Sequence, residues 1–226
     1  MKKLLTLLSF LLITGFHAQN LKAFSIPEGY KKIAEAKGDL DKDGQDEIVW
    51  AFDTDIIASE IQHSSGKKVY QRVFYILKNT DNDLKVWKEN STLLFSSETG
   101  FYPEDNILEL GIKNNSLNVR QQFFTNSRHT QSYKHTFRFQ NGDFYLIGSQ
   151  DTFDDTCDFS FTDAINFSTG KVVIDKEYSS CDEETKVPPN FHKEFTYKLQ
   201  PLIKMNHFKI GEHKIKIPGS KEYFIF

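Results

Sequence analysis

The sequence predicts a mainly β protein of twisted antiparallel meanders, a sandwich or a partial propeller-like arrangement, with one short N-terminal helix. Three observations carry that expectation. Phenylalanine and tyrosine are abundant, at 21 and 9 copies, and both suit a pleated, half-buried surface. Short apolar runs bounded by Asn, Gly and Asp recur along the chain. Long amphipathic helical repeats are missing, and the one segment that reads as a helix is short, around Glu28–Ala36.

Taken in order, the chain opens on MKKLLTLLSFLLITGFHAQN. Lys2 and Lys3 precede an apolar run, Leu4–Ile13, which suits a secretory h-region and falls well short of the roughly 20 residues that span a bilayer. Ala18 before Gln19 is the expected cleavage point. Residues 1–18 therefore read as a signal peptide and 19–226 as a single β-rich domain, periplasmic or secreted. No cysteine follows the run directly, so a lipid anchor is not indicated, and no later segment is apolar enough to span a membrane. The formal charge of −3 and the scattered lysines present no basic face for nucleic acid.

After the helix at Glu28–Ala36, EIVWAF (Glu47–Phe52) reads as a strand, and residues 53–66 as a polar loop. VYQRVFYIL (Val69–Leu77) is apolar on both faces in its second half, which predicts a central strand; LKVWKE follows it. NILELGIKNNSLNVRQQFF reads as a hairpin turning at Asn114-Asn115. YKHTFRFQNGDFYLIGS is a clearer one, because Asn141-Gly142 can supply both positive φ values of a type I′ turn. Phe137 and Phe139 alternate on one arm, Phe144 and Leu146 on the other. CDFSFTDAINF and KVVIDKEY read as strands joined through Ser168-Thr169-Gly170; residues 178–190 read as loop and EFTYKL as a last strand.

Asp39, Asp41, Asp43, Asp46 and Glu47 crowd into GDLDKDGQDEIVW, at the head of an apolar strand. Facing carboxylates repel by about 1 kcal/mol per contact even in water, and a divalent ion reverses that sign. Alternate residues of a tight loop can aim several hard oxygens at one point, roughly 2.3–2.6 Å away. Asp39, Asp41 and Asp43 stand at positions one, three and five. Gly44 permits the bend, Gln45 can offer its carbonyl, Glu47 can close the ring, and Asp46 is expected to point away. Oxygen-only donors favour Ca²⁺ over Zn²⁺ or Cu²⁺. The alternative is an unmetallated acidic turn.

The loop departs from an EF-hand, because Trp50 stands where that motif needs glutamate and a strand follows instead of a helix. It resembles the D-x-D-x-D-G-x-x-D/E calcium loop of FG-GAP and VCBS repeats, as in integrin α-chain propellers. That resemblance implies Asp39, Asp41, Asp43, Gln45 (carbonyl) and Glu47 as metal ligands. Propeller families repeat the loop, whereas this chain has it once. IPEGYKKIAEAKGDLDKDG, FRFQNGDFYLIG and FSTGKV, in that order, resemble a family of exported bacterial proteins that brings no assigned activity with it.

Cys157 and Cys181 both follow the leader, and an oxidising compartment favours joining them; two separate thiols are the alternative. The sequence has no HExxH, G-x-S-x-G, phosphate-binding glycine motif or zinc spacing. N-x-S/T strings at Asn90, Asn114 and Asn166 read as chance, given a leader of bacterial type. The histidines read as surface residues, although His129 and His135 can share a strand face and form a weak patch. Asp151, Asp154, Asp155 and Asp158 read as a solvated acidic loop, the alternatives being a hydrolase's carboxylate pair or a second, weaker cation site. Trp50, Trp87 and the other aromatics read as core. An exported, calcium-stabilised binding protein for an unknown protein or carbohydrate ligand is therefore expected. A carboxylate-dependent hydrolase of glycosidase type and a periplasmic inhibitor or immunity-type protein are the alternatives.

Overall fold

The computed structural model describes residues 21–59, 68–80, 83–182 and 184–226. The expected leader (residues 1–18) and His63 lie outside them. The described chain is mainly β, with antiparallel sheets and none closed into a barrel. β1 (Lys22–Ala23), β2 (Lys31–Gly38), β3 (Glu47–Ser59), β4 (Val69–Thr80) and β5 (Asp83–Asn90) form a five-stranded sheet in the order β1-β5-β4-β3-β2. As the sequence predicts, β4 is central, and its Val73–Leu77 stretch is buried on both faces.

The second sheet is a seven-stranded meander. It comprises β6 (Ile107–Lys113), β7 (Ser116–Phe124), β8 (His129–Gln140), β9 (Asp143–Asp155), β10 (Phe159–Asn166), β11 (Lys171–Tyr178) and β12 (Phe191–Thr196), in sequence order across the sheet. Both expected hairpin turns form. Asn114 and Asn115 hold φ of 52° and 54°, and Asn141 and Gly142 hold 50° and 80°. A small pair, β13 (Lys214–Lys216) and β14 (Tyr223–Ile225), closes the chain.

The expected helix at Glu28–Ala36 is not there. Glu28 and Gly29 turn, with Gly29 at φ 83°, and Lys31–Gly38 pairs with β3 from Lys31↔Asp53 to Gly38↔Glu47. A helix this short has a costly nucleus and few bonds to recover it. Pairing with β3 satisfies the same backbone groups and turns Ile33, Ala34 and Ala36 onto the core. The polar stretch expected as loop from residue 53 is also shorter, because β3 continues to Ser59. Residues 179–190 carry no strand among those described.

One apolar core joins the two sheets. Val49, Ala51, Phe74 and Ile76 of the first sheet meet Leu117, Phe137, Leu146 and Val172 of the second. The C-terminal segment completes it with Phe208, Ile215, Phe224 and Phe226. A second cluster (Phe52, Val73, Tyr75 and Leu77) lies on the other face of the first sheet, covered by Phe24 and Tyr30. The sheets approach closely where β2 meets β6. A Cβ on Gly38 would stand 2.8 Å from Ile112 Cγ2, so the absence of a side chain there sets the distance. Alternation then decides the rest. On the seven-stranded sheet Leu117, Val119, His135, Phe137 and Ile174 face the core, while Asn118, Lys134, Thr136 and Arg138 face away.

Candidate functional site

The acidic loop is the hairpin connection between β2 and β3, so its geometry is anchored at both ends by paired strands. Lys42 and Gly44 adopt positive φ, 69° and 85°, which curls the loop back over Asp39. The N–H groups of Lys42 and Gly44 donate to the two carboxylate oxygens of Asp39, at 2.6 and 3.2 Å. Those of Asp43 and Gln45 donate to Asp41 and Asp43, at 3.3 and 2.8 Å. Asn115, from the β6–β7 turn, donates to the Asp39 carbonyl at 2.8 Å and ties the loop to the other sheet.

These bonds aim Asp39, Asp41 and Asp43 inward, with one oxygen of each inside a group spanning no more than 4.8 Å. Oxygens bound to one Ca²⁺ at about 2.3–2.6 Å lie at most about 5.2 Å apart. The three aspartates can therefore hold a metal ion. Gln45 is exposed on the same loop. Asp46 turns out toward Lys37, 3.7 Å away.

Glu47 and Lys78 change the picture that the sequence suggests. Glu47 is 1% exposed, and one of its oxygens accepts the Leu40 N–H at 2.7 Å. Its other oxygen lies 3.2 Å from the ammonium of Lys78, on β4. The same ammonium bonds Asp41, lies 3.2 Å from Asp43 and sits 4.5 Å above the Trp87 ring. Glu47 thus joins the cluster through Lys78, a built-in counter-ion. Burial raises the Glu47 carboxyl, helped by the Asp41 charge, against the bonds from Leu40 and Lys78. Burial opposes the charge on Lys78, but its bonds to Asp41 and Glu47 outweigh that and raise it. The donor set suits a hard cation, and any ion bound there shares its carboxylates with this ammonium.

A second group of carboxylates is organised differently from the sequence expectation. Asp151 is not in a loop: it lies on β9, directly across from Asp163 on β10 and Tyr133 on β8. Burial, with the Asp163 charge adding, pushes Asp151 up to about 7. Burial pushes Asp163 up to about 6, against the pull of Lys176. Both line a cavity of about 270 Å³, walled by Phe153, Phe161 and Tyr223, where Lys176 pairs with Glu222 at 2.6 Å. Asp155 has a structural role. It accepts the N–H groups of Cys157 and Asp158, each at 2.8 Å, and pairs with Arg128 at 2.7 Å. The Cys157–Cys181 disulfide is formed beside it.

The two histidines of β8 part company. His129 reaches Asp155 at 2.8 Å, whereas His135 is fully buried, between Tyr133 and Phe208, and is not the surface residue expected. Neither ring nitrogen of His135 has a hydrogen-bond partner among the described residues, and burial lowers it to about 3. Trp87 packs on Phe139 and Phe144 at 4.6 and 5.1 Å, and Trp50 belongs to the second cluster, so both tryptophans serve packing.

Lys78 and Asp163 escape the sequence reading. A single lysine after an apolar run carries no sign of its partner 37 residues away, although Asp163 does break the apolar face of FSFTDAINF. Among the described residues no helix is long and apolar enough to cross a membrane. Comparisons with known protein families, curated proteins and solved structures find no match to this chain.

Proposed function

We propose that this chain is an exported binding protein whose acidic loop is a structural Ca²⁺ site held by Asp39, Asp41, Asp43 and the Gln45 carbonyl, with Glu47 completing it where the ion displaces the Lys78 ammonium from its free oxygen. The observation that carries this reading is the convergence of the three aspartate oxygens within 4.8 Å at the head of β3. The ion supplies charge neutralisation where a hairpin enters the sheet, and the chain's own residues supply the fixed oxygens. The leader-like N-terminus and the Cys157–Cys181 bridge support export. Ca²⁺ titration of the chelator-treated protein is the test. Saturable stabilisation is expected, weakened by Asp39→Asn with Asp41→Asn, and an unchanged melting temperature at millimolar Ca²⁺ overturns the reading.

The hydrolase alternative is favoured by one observation, the Asp151–Asp163 pair facing a cavity with its pKa values pushed to about 7 and 6. A proton held on one carboxyl beside an ionised partner suits acid–base work on a glycosidic bond. Turnover of aryl glycosides that Asp163→Asn abolishes supports it. No turnover across a panel of such substrates removes it.

A further inference from the structure

The face of the seven-stranded sheet that points away from the core carries a trough of about 560 Å³, within the range of small-ligand sites. Its lining includes two residues with little or no side chain, Gly148 on β9 and Ala164 on β10, beside the apolar Val173 on β11. The strand pairing beside Gly148 is irregular. Thr136 pairs with Gly148 and Phe137 with Leu146, so Ile147 is an extra residue, the mark of a β-bulge.

The rim is cationic. Lys134 and Arg138 of β8 and Lys171 of β11 line it, and no carboxylate does. Lys171 is engaged by Glu194 at 2.7 Å. Among the described residues Lys134 and Arg138 have no ion pair, and the Arg138 guanidinium makes one long bond, from Nε to Ser116 Oγ at 3.4 Å. Among the described residues the acidic chain thus leaves two cations without counter-ions beside this trough. The remaining lining includes hydroxyls and amides from Thr136, Gln150, Asn166, Ser168 and Thr169.

Three features narrow the occupant. Lys134 and Arg138 stand four residues apart on one strand, roughly 13 Å along the backbone, which leaves room for each to hold its own anionic group on one extended ligand. An Arg fork binds carboxylates bidentately, which suits repeated carboxylates along an extended ligand. The strands under the trough are interior ones whose neighbours already take their backbone groups, so a peptide cannot be added by strand pairing. Recognition therefore falls to side-chain hydroxyls, amides and cations, the groups that complement sugar hydroxyls and uronate carboxylates. We propose that this trough binds a short carboxylated oligosaccharide, with Lys134 and Arg138 each holding a carboxylate and the amide and hydroxyl side chains holding the sugar ring oxygens.

The inference deepens the reading of the chain as a binding protein but does not use the cation loop. The experiment is a calorimetric or NMR titration with trigalacturonate, with a neutral trisaccharide and a tetra-aspartate peptide run in parallel. Saturable binding of trigalacturonate alone is expected, weakening as salt rises to about 0.3 M. The double variant Lys134→Glu with Arg138→Glu should bind roughly tenfold more weakly or worse. Gly148→Leu provides a second, charge-neutral block. A Cβ there meets the Ile165 carbonyl oxygen at 3.5 Å and Thr136 Cβ at 3.6 Å, ordinary contacts, so the backbone accepts it while the side chain fills the trough. Both variants should retain the wild-type circular dichroism spectrum and lose binding. No saturation by trigalacturonate, or unchanged affinity in both variants, overturns the proposal; so does equal binding of tetra-aspartate. Ca²⁺ stabilisation measured on the same samples separates the two readings, since its persistence without saccharide binding removes the trough alone.

Discussion

Replacing Lys78 by methionine tests the account of the acidic loop most directly. The side chain keeps its apolar stem over Trp87 but loses the ammonium that serves Asp41, Asp43 and Glu47. Glu47 is then left with its bond from Leu40 and no cation, at 2% side-chain exposure. Breaking a fully buried pair on one side costs about 3–5 kcal/mol. The Lys78 and Asp43 side chains are 17% and 42% exposed, so solvent screens part of this, and about 2–3 kcal/mol is the expected loss in chelator. An ion that takes over the freed carboxylates returns stability by mass action, about 2.7 kcal/mol at a hundred times its dissociation constant. Urea unfolding of wild type and Lys78→Met, each with EDTA and with Ca²⁺, gives the four numbers needed. The variant should be weaker in EDTA and gain more from Ca²⁺ than wild type does. A loss below about 0.5 kcal/mol in EDTA refutes the counter-ion role. Equal gains from Ca²⁺ refute competition between ammonium and metal.

The buried carboxyl pair gives a pH dependence of definite sign. Asp151 and Asp163 titrate at about 7 and 6 in the folded state, above their unfolded range, so their favourable contribution is complete below about pH 4 and is lost as pH rises through 6–7. Asp151→Asn, which retains an acceptor for Gln131, should stabilise the protein at pH 8 by on the order of 1–3 kcal/mol and flatten that slope in urea titrations. His135 acts in the opposite sense. Its depressed value of about 3 means that stability is complete above about pH 6.5 and falls as pH drops toward 3, so His135→Phe should gain about 2 kcal/mol at pH 5. Replacing Cys157 and Cys181 by serine should cost about 3 kcal/mol in thermal or urea unfolding, from the freed loop between them. Gly38→Ala forces β2 away from Ile112 and should cost about 1–3 kcal/mol, with Ile112→Ala in the same chain recovering part of it.

What could be read without coordinates follows from local chemistry. Asn114-Asn115 and Asn141-Gly142 announce their turns because few residues tolerate positive φ. The doubly apolar half of VYQRVFYIL announces a central strand because only burial on both faces suits it. The spacing of Asp39, Asp41 and Asp43 around Gly44 announces a curled acidic loop for the same backbone reason. Glu28–Ala36 misled because its helical pattern is weak and its partner strand lies beyond the loop, where a local reading does not reach.

By itself, then, the sequence determined the β-rich class, the hairpins, the acidic loop and the cysteines available for bridging. Each depends on residues a few positions apart or on residue type alone. Tertiary structure decided which distant groups meet: Lys78 inside the loop, Asp163 across from Asp151, His135 in the core, Lys134 and Arg138 in one trough with Gly148 and Ala164. Strand order and register, bulges included, set those meetings, because shifting a strand by one residue exchanges its two faces, and no local signal in the chain records that choice.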